Sequence, residues 1–79
     1  MKAKILTNDP SLIVMFRLGS IEGKLVDNPD QMEEEFKKAI KDQDLAVLIL
    51  TKTTKTWIKD QVKAHRQSQS VPLIVVIDG

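Results

Sequence analysis

The chain contains no cysteine, a single histidine, one tryptophan and two phenylalanines. Without cysteine there is no disulfide, no thiolate nucleophile, no phosphocysteine carrier and no Cys-based zinc site. The same absence fits a cytosolic protein. Three aromatic side chains are too few for a surface that stacks nucleic-acid bases. Long apolar runs are also missing. Leu45–Leu50 and Val71–Ile77 are the longest, and both fall far short of a bilayer's thickness. The opening MKAKILTND lacks the apolar core of a secretory signal. Neither sign of charge dominates: the net charge is +1, which makes no overall electrostatic case for nucleic acid or a membrane surface. No GxxxxGKS/T loop is present, and Gly19 and Gly23 do not form a GxGxxG fingerprint. No cofactor site follows from the sequence. His65 has no sequence neighbours that announce a metal site or a nucleophile–base pair, so no metal ligand and no catalytic residue is assigned.

What remains is 79 residues of ordinary globular composition, 42% hydrophobic and 29% charged, without repeat, low-complexity tract or linker. That length predicts one domain over residues 1–79. Its core is small, and it is marginal unless well packed or held by a partner. Lys2–Thr7 reads as a first strand. Asp9 then suits an N-cap and Pro10 the first helical position of a helix reaching about Leu18, with Leu12, Ile13 and Phe16 as its stripe. Gly19 sits where a left-handed residue ends such a helix. Gly23–Val26 is a short second strand. Asn28-Pro29 repeats the cap grammar, with Gln31 as capping-box partner, and the second helix runs to about Gln43. Met32, Phe36, Ala39 and Ile40 form its buried face. Its early acids and late lysines complement the helix dipole. LAVLIL, Leu45–Leu50, is continuously apolar and predicts a central parallel strand. Thr53 or Thr54 caps a third helix to about Gln67. Ile58, Val62 and His65 share one of its faces, with Trp57 beside them as a packing or interface anchor. PLIVVI, Pro72–Ile77, is the last strand.

The order β-α-β-α-β-α-β with right-handed crossovers predicts a parallel four-stranded sheet, spatial order 2-1-3-4, with three helices. This is an α/β, flavodoxin-like (Rossmann-like) sandwich. It is short of one layer. The first helix alone cannot cover one face of four strands, yet the third and fourth strands are apolar on both faces. Some apolar surface on the first helix's side is therefore expected to lie uncovered, and such patches mark partner sites. The third helix and its start carry Lys52, Lys55, Lys59, Lys63 and Arg66 against Asp60 alone, either a solvated face or a docking strip for an acidic partner. Helix two supplies the opposite sign around residues 27–35.

Between the first helix and the second strand stands FRLGSIEG, Phe16–Gly23. The stretch Asp9–Gly23, the strand Leu45–Thr51 and the strand Val71–Asp78 together resemble the F subunit of the rotary V-type/A-type ATPases, called the G subunit in some bacterial sodium-pumping enzymes. FRLGSIEG is the specific part of the likeness; the rest is generic for small α/β domains. Ser20 departs from the small glycine or alanine neighbourhood usual there. The resemblance also implies a C-terminal helical tail past the fourth strand, which residues 1–79 lack, as a truncated, processed or naturally short chain would. The resemblance implies a cytoplasmic rotor component, peripheral to the membrane. It implies a place in the central stalk with the coiled-coil D subunit, coupling ATP hydrolysis or synthesis to proton or sodium movement. Such a component binds no nucleotide and performs no catalysis. Phe16, Arg17, Gly19, Glu22, Gly23 and Trp57 are then structural or partner-contact positions. Phe16 anchors the helix, Gly19 ends it and Gly23 admits the backbone to the strand. Arg17 and Glu22 either pair locally or face the D subunit.

Two other readings share the fold. A response-regulator receiver needs a carboxylate after the third strand, where this chain has Thr51-Lys52-Thr53, and an acidic pocket for Mg2+. A protein-interaction domain of another assembly needs no such chemistry.

Overall fold

Short polar caps decide where this chain turns from strand to helix. A computed structural model describes Lys2–Asp78. Strand β1 (Lys2–Thr7) gives way to helix α1 (Pro10–Leu18) behind Asp9. The Asp9 carboxylate accepts from the Ser11 backbone N–H at 2.9 Å and from the Ser11 hydroxyl at 2.7 Å. Strand β2 (Glu22–Leu25) leads to helix α2 (Pro29–Lys41). Asn28 Oδ1 accepts from the Gln31 N–H at 2.9 Å. Gln31 Oε1 reaches back to the Asp27 N–H at 2.8 Å, one residue ahead of the cap. On the solvent side of α2, Glu33 meets Lys37 at 3.2 Å and Glu34 meets Lys38 at 3.5 Å, the four-residue pairing expected on a helix.

Strand β3 (Leu45–Thr51) runs without a loop into helix α3 (Lys52–Trp57), then α4 (Lys59–Ser68) and strand β4 (Leu73–Ile77). Here the structure corrects the expectation of one helix capped by Thr53 or Thr54. The cap is Thr51, whose extended backbone as the last strand residue is what a cap requires. Thr51 Oγ1 accepts from the Thr54 N–H at 3.3 Å, and Thr54 Oγ1 accepts from the Thr51 N–H at 3.1 Å. The helix also breaks at Ile58, at φ −130° and ψ 39°, so among the described residues four helices replace the expected three. Thr53, Thr54 and Thr56 make α3 a weak helix. Leaving helical dihedrals at Ile58 is compatible with burying both Ile58 and Val62.

All strands are parallel, in the order β2-β1-β3-β4. The fold is α/β and flavodoxin-like, as the sequence predicts, with its topological switch between β1 and β3. The two faces are unequal. Under α2, α3 and α4 lies the larger core, in which Leu6, Met32, Phe36, Leu48, Leu50 and Val62 are buried. Under α1 only Ile5, Leu12 and Ile49 are buried, with Ile13, Phe16, Val47 and Ile77 half-buried around them.

Candidate interaction surface

FRLGSIEG closes α1 and opens β2, and its hydrogen bonds specify how. The Ile21 N–H donates to the Phe16 carbonyl at 3.0 Å and the Ser20 N–H to the Arg17 carbonyl at 2.9 Å. These two bonds are the 6→1 and 5→2 pair of a Schellman ending, which places Gly19 at the C-cap and Ser20 at C′. The expectation that Gly19 adopts the left-handed conformation is therefore corrected. Gly19 has φ −94°, and Ser20 has φ 65°. One more residue of helix than the glycine suggested carries the turn to Ser20.

Gly23 sits on β2 opposite Ile5, beneath α1. A Cβ there would stand 2.8 Å from Ile13 Cδ1 and 3.1 Å from Ile5 Cγ2. Absence of a side chain at Gly23 is thus what lets α1 lie close on the sheet. Phe16 is half-buried against Ile5, Leu12 and Ile49. Arg17 and Glu22 are exposed and do not pair with each other. The parallel register puts Glu22 beside Lys4 instead, at 3.9 Å. Trp57 is half-buried against the larger core, across the sheet from Phe16. The six positions do not converge on one site.

An apolar surface lies elsewhere. Alternation along β4 turns Ile74 and Val76 into the larger core, so Leu73, Val75 and Ile77 point to the α1 side. They stand in register with Val47, Ile49 and Thr51 of β3. Among the described residues, the backbone of helix α1 comes close to β1 and β2 alone, and its side chains reach across the sheet to the cluster around Ile49 without covering β4. Leu73 is consequently 65% exposed and Val75 38%. Met15, one turn after the buried Leu12 on α1, is 60% exposed. This is the uncovered apolar face that the missing layer predicts. Sequence reasoning located the face but named none of these three residues. The parity of PLIVVI was the usable clue, since Ile74 and Val76 must face the larger core for the strand to pack.

The crevice at the switch point, where open α/β sheets usually take ligands, is filled. Thr7, Thr51 and Thr54 are fully buried there. Thr7 Oγ1 accepts from the Asp9 N–H at 3.0 Å, and the Thr54 hydroxyl lies 3.2 Å from the Leu6 carbonyl. Asp9 caps α1, and Asp78 pairs with Lys52 at 2.7 Å. No carboxylate follows β3, so the acidic pocket of a receiver is not assembled. Among the described residues, no group of three or more His, Cys, Asp or Glu is placed to hold a metal ion. No helix among them is long and apolar enough to cross a membrane. His65 has a structural place: its Nε2–H donates to the Pro72 carbonyl at 2.8 Å, and its ring meets Phe36 edge-on. Arg66 Nη2 donates to the Ile74 carbonyl at 3.3 Å. Together they tie α4 to the edge strand.

These features define a small parallel α/β domain with one sheet face left apolar and open. Residues 5–79 match the family described as ATP synthase (F/14-kDa) subunit. The chain belongs to that family, and so to the F subunits of V/A-type ATP synthases; its partners are other components of such a complex. Among curated proteins and among solved structures, no match was found.

Proposed function

We propose that this chain is a central-stalk component of the rotor, binding the coiled-coil D subunit and coupling ATP hydrolysis or synthesis to proton or sodium movement. It performs no catalysis of its own, and it works on the cytoplasmic side, peripheral to the membrane. Residues 1–79 form the globular domain. Family membership supports the assembly. The observation that carries the docking is the exposed apolar row of Leu73 and Val75 on β4. A rotor part transmits torque through a stiff contact that does not exchange during turnover. An apolar, charge-free sheet face suits that demand, because its burial is insensitive to salt and covering Leu73 alone is worth about 1 to 2 kcal/mol. Size exclusion with light scattering tests the reading. Mixed with the purified D subunit, the chain should elute as a one-to-one complex. Separate elution of the two proteins at micromolar concentration would overturn it.

A further inference from the structure

On the other side of the sheet, Lys55, Lys59, Lys63 and Arg66 line one open groove of about 360 Å3 along α3 and α4, with Val62 and Gln67. The three lysines recur at every fourth position; Lys59 and Lys63 share a face of α4, and Lys55 of α3 reaches the same groove across the break at Ile58. Among the described residues none of the three takes part in an ion pair. The acids of α2 are engaged elsewhere in part: Glu33, Glu34 and Glu35 face Lys37 and Lys38 of their own helix. Asp60, the only acid on α4, neutralises none of the strip. A chain of net charge +1 thus concentrates uncompensated positive charge in one place. Composition alone does not require that; salt screens the mutual repulsion in part, and an anionic neighbour relieves it further.

We propose that this groove docks an acidic helical segment of a second protein, with carboxylates at every fourth position. Residues four apart on a helix advance about 6 Å. A partner helix lying along α4 therefore presents its carboxylates at the repeat of Lys59 and Lys63, with Lys55 of α3 at the groove's end. Val62 is buried, so the groove's apolar lining comes chiefly from the methylene stems of the long side chains, and their charged heads give the contact its electrostatic part. No aromatic side chain lines the groove, which leaves nothing for a nucleobase to stack on. The groove and the open apolar face lie on opposite sides of the sheet, so both can be occupied together. One contact is durable, the other reversible and salt-sensitive.

The test is a titration of the isotope-labelled full chain with an alanine-based helical peptide carrying Glu at every fourth position. Amide shifts should saturate and map to Lys55, Lys59, Lys63 and Gln67. Affinity should fall about tenfold between about 50 and about 200 mM salt. The double variant Lys59→Gln/Lys63→Gln should weaken binding about tenfold while its amide spectrum shows the same fold. Equal binding by a peptide with Gln for Glu, or by one with the same Glu residues scattered around the helix, would overturn the proposal. So would shifts that map outside α3 and α4, or tighter binding of a single-stranded oligonucleotide of equal charge.

Discussion

Exchanging two small residues at the end of α1 tests the turn geometry directly. Ser20 holds φ 65°, a conformation in which a side chain meets its own backbone. Ser20→Gly removes that penalty, about 1 kcal/mol, while the freer unfolded chain takes back about 0.5 kcal/mol. The expected net gain is about 0.5 kcal/mol, or a Tm rise of roughly 2 to 4 °C for a domain of this size. Gly19 behaves in the opposite way to a left-handed glycine. Its φ is −94°, and an added Cβ would meet only the Phe16 carbonyl oxygen, at 3.6 Å. Gly19→Ala should therefore leave stability unchanged or raise it by about 0.5 kcal/mol. Urea unfolding followed by circular dichroism, with Trp57 fluorescence as a second probe, measures both. A loss of more than about 1 kcal/mol in Gly19→Ala, or any loss in Ser20→Gly, would refute the assignment of Ser20 as the C′ residue.

Three contacts elsewhere in the domain carry further expectations. Gly23→Ala drives a methyl against Ile13 and Ile5 and should cost about 1 to 3 kcal/mol; adding Ile13→Val should recover part of it, which a double-mutant cycle in urea would detect. Thr54→Val keeps the volume but leaves the Thr51 N–H and the Leu6 carbonyl without their hydroxyl partner, so a loss of about 1 to 3 kcal/mol is expected, again read by urea unfolding. The Lys2 ammonium donates to the Asp42 carboxylate at 2.9 Å and holds its pKa below the ordinary aspartate value of 3.8. A lowered carboxylate pKa stabilises above the ordinary value and is lost as pH falls through the lowered one. Lys2→Met should therefore flatten the acid limb of a stability-versus-pH curve below about pH 4. Because the pair is exposed, high salt should erase the difference.

The fold was largely legible because its determinants are local. Asp9-Pro10 and Asn28-Pro29 announce helix starts, and the unbroken apolar run LAVLIL points to a central strand. The sheet order then followed from handedness. What escaped the sequence depended on three-dimensional placement. Thr51 and Thr54 look alike on paper, and only the extended backbone at the end of β3 selects Thr51 as the cap. The break at Ile58 is invisible to the helical pattern, because Ile58 and Val62 stand four apart and share a face whether or not the helix is continuous. Glycine at position 19 suggested the turn residue by type, whereas the carbonyls of Phe16 and Arg17 place it one residue later. Glu22 stands beside Lys4 because β1 and β2 run in register, a pairing 18 positions removed in sequence. The open face was inferred from a missing helix, but Leu73 and Val75 were identified only once the parity of β4 was known.

The most direct test of the docking account is the affinity of Leu73→Lys for the purified D subunit, compared with that of the unaltered chain and of Lys59→Gln. Leu73 is mostly exposed, so the lysine should leave the fold intact, as amide spectra would verify. The account predicts that Leu73→Lys weakens the complex by about tenfold or more, because a charge enters an apolar contact, while Lys59→Gln leaves it unchanged. Undiminished affinity in Leu73→Lys would contradict the account and place the contact with the coiled-coil partner away from β4.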